Sequence, residues 1–174
     1  MLPKNINKEL EFDQTNLREI YLAGGCFWGV DAYMARVRGV YSTESGYANG
    51  FDADPTTYKE VCTGTTGHTE AVYLKYDITK ITLAQLLQEF FSVVDPTTLN
   101  RQAGDVGTQY RTGIYYTNPD DLQTIQQAIE LQQQNYSKQI VTEVMPLQNY
   151  CPAEEYHQNY LEKNPGGYCH IKIV

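Results

Sequence analysis

Apolar positions along the chain repeat with a period near two in some stretches and near 3.6 in others, and the switches between them mark out the elements. "EIYLA" (19–23) reads as a short strand. It is followed by "CFWGVDAYMARV" (26–37), where Phe27, Val30, Met34 and Val37 recur at the spacing of one helix face. Gly39 stops that helix, and "VYSTESGYA" (40–48) reads as a strand. Residues 49–68 are rich in turn formers and predict a long irregular connection, after which "TEAVYLKYD" (69–77) alternates as a strand. Thr82 and Gln85 make a capping box for a second helix. Its stripe of Leu83, Leu86, Leu87, Phe90, Phe91 and Val94 is the cleanest in the chain, and Asp95-Pro96 ends it. A second long loop (95–111) leads to the strand "TGIYYT" (112–117). Asn118 as cap and Pro119 as first residue then open a third helix. "VTEVMPL" reads as an added strand, "PAEEYHQNYL" as a short helix, and the remainder as a Gly-containing tail. Residues 1–17 show no sustained period and predict an arm.

Up to residue 117 the order is β-α-β-β-α-β. This predicts an α+β fold built on a ferredoxin-like split unit, a two-layer sandwich with an antiparallel sheet and both helices on one face. The later helix, the short extra strand and a long C-terminal tail decorate it. The 174 residues suit one core, and neither a repeat nor a second composition regime divides them. A single domain over 1–174 is expected, with the arm at 1–17 and the tail at 161–174.

Composition narrows the function classes. Apolar residues make up 41% and charged residues 20%, as in a globular protein. The net charge is −8 and Lys and Arg are scattered singly, so no basic stripe exists to neutralise nucleic-acid phosphates. No apolar run approaches membrane-spanning length, and "MLPKNINKELEF" lacks a signal-peptide core, which predicts a cytoplasmic protein. Four cysteines (Cys26, Cys62, Cys151, Cys169) are too scattered for a disulfide scaffold. No C-x-x-C or H-x-x-x-H pair suggests a zinc site. What remains for them is buried filler or redox chemistry.

Cys26 stands at the junction of the first strand and first helix. A helix N-terminus offers free N–H groups and the positive end of its dipole, which stabilise a thiolate. Gly24 and Gly25 let the chain turn sharply there. The competing reading is a first core residue of the helix. Glu70 shares a strand face with Val72, Leu74 and Tyr76, where its charge is disfavoured and it can act as a proton donor near neutral pH. A strand-start glutamate curling to solvent is the plainer alternative, and an ideal split unit sets Glu70 at the edge opposite Cys26. Tyr58 and Tyr110 each lie in a long loop, from which a hydroxyl can donate to a polar substrate atom. Asp105, between two glycines in "GDVGTQY", is either their orienting group or a turn aspartate. Phe27 and Trp28 are core rings or the walls of an apolar subsite.

Taken in order, "GGCFWG", "GTTGHTEAVYLKYD", "GDVGTQYRTGIYY" and "AEEYHQNYL…GGYC" resemble the peptide methionine sulfoxide reductase A family over residues 19–170. The resemblance implies reduction of the S epimer of methionine sulfoxide, free or in peptides and proteins. It casts Cys26 as nucleophile on the sulfoxide sulfur, and Phe27 and Trp28 as holders of the S-methyl group. Glu70 becomes the acid for the sulfoxide oxygen, Tyr58 and Tyr110 its hydrogen-bond donors, and Asp105 a supporting group. Cys26 leaves the step as a sulfenic acid, which Cys169 resolves to a disulfide that thioredoxin reduces. No metal or organic cofactor, nucleic acid or membrane is implied, and a monomer is expected. Cys62 reads as a small buried thiol. Cys151 replaces an aromatic of the family pattern and is a second candidate partner for Cys26. The alternative from another class is a redox-sensing or peptide-binding module that keeps the pocket without turnover.

Overall fold

The computed structural model describes residues 1–174. Its elements follow as β1 (Leu17–Ala23), α1 (Phe27–Met34), β2 (Val40–Ala48), α2 (Tyr58–Cys62), β3 (Thr69–Asp77), α3 (Leu83–Phe91), β4 (Arg101–Gln102), β5 (Asp105–Val106), β6 (Gly113–Tyr116), α4 (Asp121–Gln133), β7 (Glu143–Pro146), β8 (Tyr150–Pro152) and α5 (Tyr160–Lys163). The fold is mixed α and β, with five α-helices about a central six-stranded sheet ordered β7-β6-β1-β3-β2-β8. Neighbours are antiparallel except β6 and β7, which run parallel. That pair makes the sheet mixed rather than the purely antiparallel one expected. The reason is the crossover through α4, because a strand returning after a helix lies parallel to the one before it.

The periodicities decide the packing. Ile20 and Leu22 of β1 and Val72, Leu74 and Tyr76 of β3 face one way. They meet Phe27, Val30 and Met34 of α1 and Leu86, Leu87 and Phe90 of α3 in one core. The residues between them, Tyr21, Ala23 and Ala71, face the other way with Tyr115, Tyr73 and Tyr150. Tyr21 stacks on Tyr73 there with ring centroids 4.6 Å apart.

Several expected boundaries move, each for a local reason. The Thr82–Gln85 box forms as read and starts α3. Asn118 instead accepts from the Asp120 N–H in a turn, so α4 begins two residues past Pro119. A second box, Thr57 with Glu60, folds α2 inside the connection expected to be irregular. "PAEEYHQNYL" is not one helix: β8 pairs with the end of β2, a 3-10 turn covers Glu155–His157, and Asn159 in the left-handed region (φ 50) precedes α5. The arm is docked and ends one residue early, since Leu17 belongs to β1. Asn7 is buried, donates to Ala35 O and Val37 O, and accepts from Gly39 N–H, closing the end of α1. Leu161, assigned to the tail, is buried within α5.

Candidate active site

The centre of the site follows from one turn and one register. Beyond β1 the chain reverses through Gly24-Gly25, and Gly25 takes φ +82, a conformation that disfavours a side chain. A Cβ at Gly25 would also lie 2.5 Å from Gln102 Cβ, because the second long loop rests on the turn. Cys26 then occupies the cap position of α1 and is buried. In the antiparallel register of β1 and β3, Leu22 faces Val72, so the start of β3 adjoins the end of β1. Glu70 therefore lies beside α1 and not at the far edge. The Phe27 N–H donates to Glu70 Oε1 at 3.1 Å.

Burial sets the protonation of both groups. Glu70 is 1% exposed, and desolvation pushes its carboxyl up to about 8, against the lowering effect of the Phe27 N–H and with a smaller push from Asp105. It is mostly protonated at neutral pH. Its second oxygen is buried without a partner. The Cys26 thiol is also held far above its ordinary range, first by burial, then by Glu70, with the Trp28 N–H opposing. The expected lowering at a helix start is thus reversed in the free site, where one N–H does not outweigh desolvation.

The two long loops bring the tyrosines in. Tyr58 opens α2, and its N–H donates to Glu154 Oε2 at 3.1 Å while Tyr47 OH donates to Glu154 Oε1 at 2.8 Å, fastening α2 to β2. Thr69 Oγ1 donates to Gln109 O at 3.0 Å and Arg111 O at 3.1 Å, fixing the segment that carries Tyr110 to the start of β3. Burial raises both phenols, and Glu70 is among the charges acting on each. Asp105 acts electrostatically on Glu70, Cys26 and Tyr110. The hydrogen bond it accepts comes from Tyr168 OH (3.0 Å), on the tail, rather than from Tyr58 or Tyr110.

Phe27 is fully inside the core, whereas Trp28 is half-buried. Trp28 Nε1–H donates to His157 Nδ1 at 2.9 Å, and its indole stacks on Tyr160 with centroids 3.7 Å apart. His157 is itself buried and also packs on Phe27, at 5.1 Å, and Tyr58, at 4.5 Å. Sequence reasoning singled out neither His157, Tyr160 nor Glu154. The "AEEYHQNYL" block contained all three, but nothing in its spacing told which side chain would turn inward.

The cysteines separate by position. Cys169 is half-buried on the tail, and a Cβ at Gly29, in the first turn of α1, would lie 3.1 Å from its Sγ. Cys151 sits on the edge strand β8 with its Sγ 3.7 Å from Thr56 O. Cys62, expected to be buried, is exposed, because the inward position of α2 is Val61. All four are free thiols.

A family model described as Peptide methionine sulfoxide reductase matches residues 18–174. A relative from Clostridium botulinum (strain Okra / Type B1), named Peptide methionine sulfoxide reductase MsrA, is 57% identical over 157 residues, covering 90% of this chain and 99% of the relative. Among solved structures, reduced Mxr1 from Saccharomyces cerevisiae superposes with TM-score 0.86 at 37% identity, covering 95% of this chain and 97% of that one. Mxr1 in complex with Trx2 superposes at 0.61 with 25% identity, covering 88% and 91%. With nearly all of its length matched, and more than half of its aligned positions shared with that bacterial relative, this chain belongs to the peptide methionine sulfoxide reductase family.

Proposed function

We propose that this chain reduces the S epimer of methionine sulfoxide, free or in peptides and proteins, with Cys26 as nucleophile and Glu70 as acid. The observation that carries the reading is the Phe27–Glu70 hydrogen bond, which sets a protonated, buried carboxyl beside the helix start that Cys26 caps. Glu70 gives its proton to the sulfoxide oxygen as Cys26 Sγ attacks the sulfur, and takes the thiol proton in return. The sulfur–oxygen bond of the substrate breaks. Methionine leaves reduced by two electrons, and Cys26 keeps the hydroxyl as a sulfenic acid. Tyr58 and Tyr110 donate to the oxygen during the step, and Asp105 supports the site by holding Tyr168. Phe27 and Trp28 take the S-methyl group. Their rings offer it apolar surface, and His157 and Tyr160 fix the indole plane.

Cys169 then closes a disulfide with Cys26, and thioredoxin reduces it. The solved complex of the yeast relative with Trx2 supports that partner. Neither step needs a metal or organic cofactor. We read β6-β1-β3-β2 with α1 and α3 as a ferredoxin-like split unit, its order supporting that description. We further read the chain as one catalytic domain acting as a cytoplasmic monomer; no helix is long and apolar enough to cross a membrane. Cys26→Ser tests the assignment: it should fold normally and release no methionine from methionine sulfoxide. Substantial release would remove Cys26 from the mechanism.

A further inference from the structure

Beside the tail cysteine lies a histidine that the steps above leave unused. His170 Nε2 is 3.0 Å from the carbonyl oxygen of Gly24. A carbonyl oxygen only accepts, so Nε2 carries the hydrogen and Nδ1 the free lone pair. That Nδ1 is buried and has no partner. Native structures leave few buried polar atoms unpaired, and catalytic use is one of the reasons for those that remain.

The ring's surroundings give this atom a task. A Cβ at Gly25, next to Cys26, would lie 3.2 Å from His170 Nε2. A Cβ at Gly29, one helical turn on, would lie 3.5 Å from Cε1, the ring carbon bonded to Nδ1, and 3.1 Å from Cys169 Sγ. The imidazole and the Cys169 thiol thus both border the first turn of α1, where the thiol donates to Ile171 O at 3.0 Å and Nδ1 stays unpaired. Burial lowers the ring's pKa and keeps it neutral, while Asp105 opposes that shift and would favour a transient imidazolium.

On the reading that Cys169 resolves the sulfenic acid, we propose that His170 Nδ1 relays the proton of that step. The Cys169 thiol turns from Ile171 O to Nδ1 and loses its proton there, and its sulfur bonds to Cys26 Sγ. The sulfur–oxygen bond of the sulfenic acid breaks, and the departing hydroxide takes the proton back from the imidazolium as water. The Cys169 sulfur is oxidised and the sulfenic sulfur reduced, so no outside oxidant or reductant enters. The Gly24 carbonyl keeps Nε2 protonated throughout, leaving Nδ1 as the nitrogen that cycles.

The test mixes each enzyme with one equivalent of methionine sulfoxide in the absence of thioredoxin. Methionine is quantified, and the disulfide is followed by alkylation of free thiols and peptide mapping. His170→Ala should still release the first methionine but close the Cys26–Cys169 bond roughly 10²-fold more slowly, a usual scale for proton transfer. Added imidazole should recover part of that rate. His170→Gln can keep a donor toward Gly24 O but has no basic nitrogen, so it should close as slowly as His170→Ala. If His170→Ala also lost the first methionine, His170→Gln would decide the matter. Closure at the wild-type rate in His170→Gln would mean that the ring only tethers the tail, and the relay would be overturned with the Cys169 reading intact. A wild-type bridge from Cys26 to Cys62 or Cys151 would instead overturn the Cys169 reading, and the relay with it.

Discussion

Glu70 enters the fold as every second residue of a strand does, on the face its neighbours choose, and those neighbours are Val72, Leu74 and Tyr76. Its burial and raised pKa were legible as one of two readings, because alternation placed it among apolar neighbours while its position at the strand start left a route to solvent that the packing closes. Glu70→Gln keeps the shape but cannot transfer a proton, so methionine formation in a single turnover should slow by roughly 10²–10⁴-fold. In the wild type that rate should fall as pH rises through about 8, where the carboxyl ionises. Stability should follow the same titration. A group whose folded pKa is raised from 4.5 to about 8 favours folding fully below 4.5 and progressively less as pH climbs to 8. Glu70→Gln should remove that slope, and urea titrations across this range should find the variant the more stable protein at pH 8. At Trp28 the expected change is in selectivity: Trp28→Ala should discriminate less between methyl and bulkier alkyl sulfoxides. Unchanged discrimination with only a lower melting temperature would reduce the indole to a packing role. His157 and Glu154 stayed hidden because their partners are distant in the chain. Trp28 bonds to His157 and Tyr47 to Glu154, contacts that only the folded register brings together.

Among the elements, those with long, clean periods were placed correctly, although α1 and α3 each end three residues sooner than read, at Met34 and Phe91. β2 and β3 have the predicted limits, and α3 begins at its predicted box. The errors fall where short pieces are shaped by context. Thr57 and Glu60 spelled a capping box, yet a helix of five residues has no stripe long enough to register. The block from Pro152 to Leu161 carries helical spacing, but β8 is drawn into extended pairing with β2 and Asn159 breaks the run. The tail was read only as a Gly-containing stretch without an element of its own. It is in fact held at Tyr168 by Asp105, at His170 by Gly24 O and at Ile171 by burial. Cys169 is therefore already stationed over α1 before oxidation. Cys169→Ser should release about one methionine per enzyme and then stall with thioredoxin present, because the first step needs only Cys26. Continued turnover, with a Cys26–Cys151 bridge found by peptide mapping, would transfer the resolving role to Cys151.

At the scale of the whole molecule, one sheet links every group in the site. β1 delivers Cys26, β3 Glu70, and β2 anchors α2 through Glu154. The loop carrying Tyr110 is tied to β3, and the tail closes over α1. The order of the four inner strands follows from hydrophobic pattern and connection length, whereas β8 had too short a pattern to predict. Because the core crosses the sheet from α1 to α3 without a break, thermal unfolding should be a single transition whose calorimetric and van't Hoff enthalpies agree. A second transition would split the proposed single domain. The chain also has only one tryptophan, and it is Trp28. Light absorbed selectively by indole is consequently re-emitted from one place in the protein, the proposed wall of the candidate site. Stacked on Tyr160 and bonded to His157, that fluorophore has its spectrum and quenching set by the chemistry beside it. On the proposed roles of Trp28, Cys26 and Cys169, the native protein thus carries its own optical reporter, and sulfoxide binding and disulfide closure should appear as successive changes in emission with no label added.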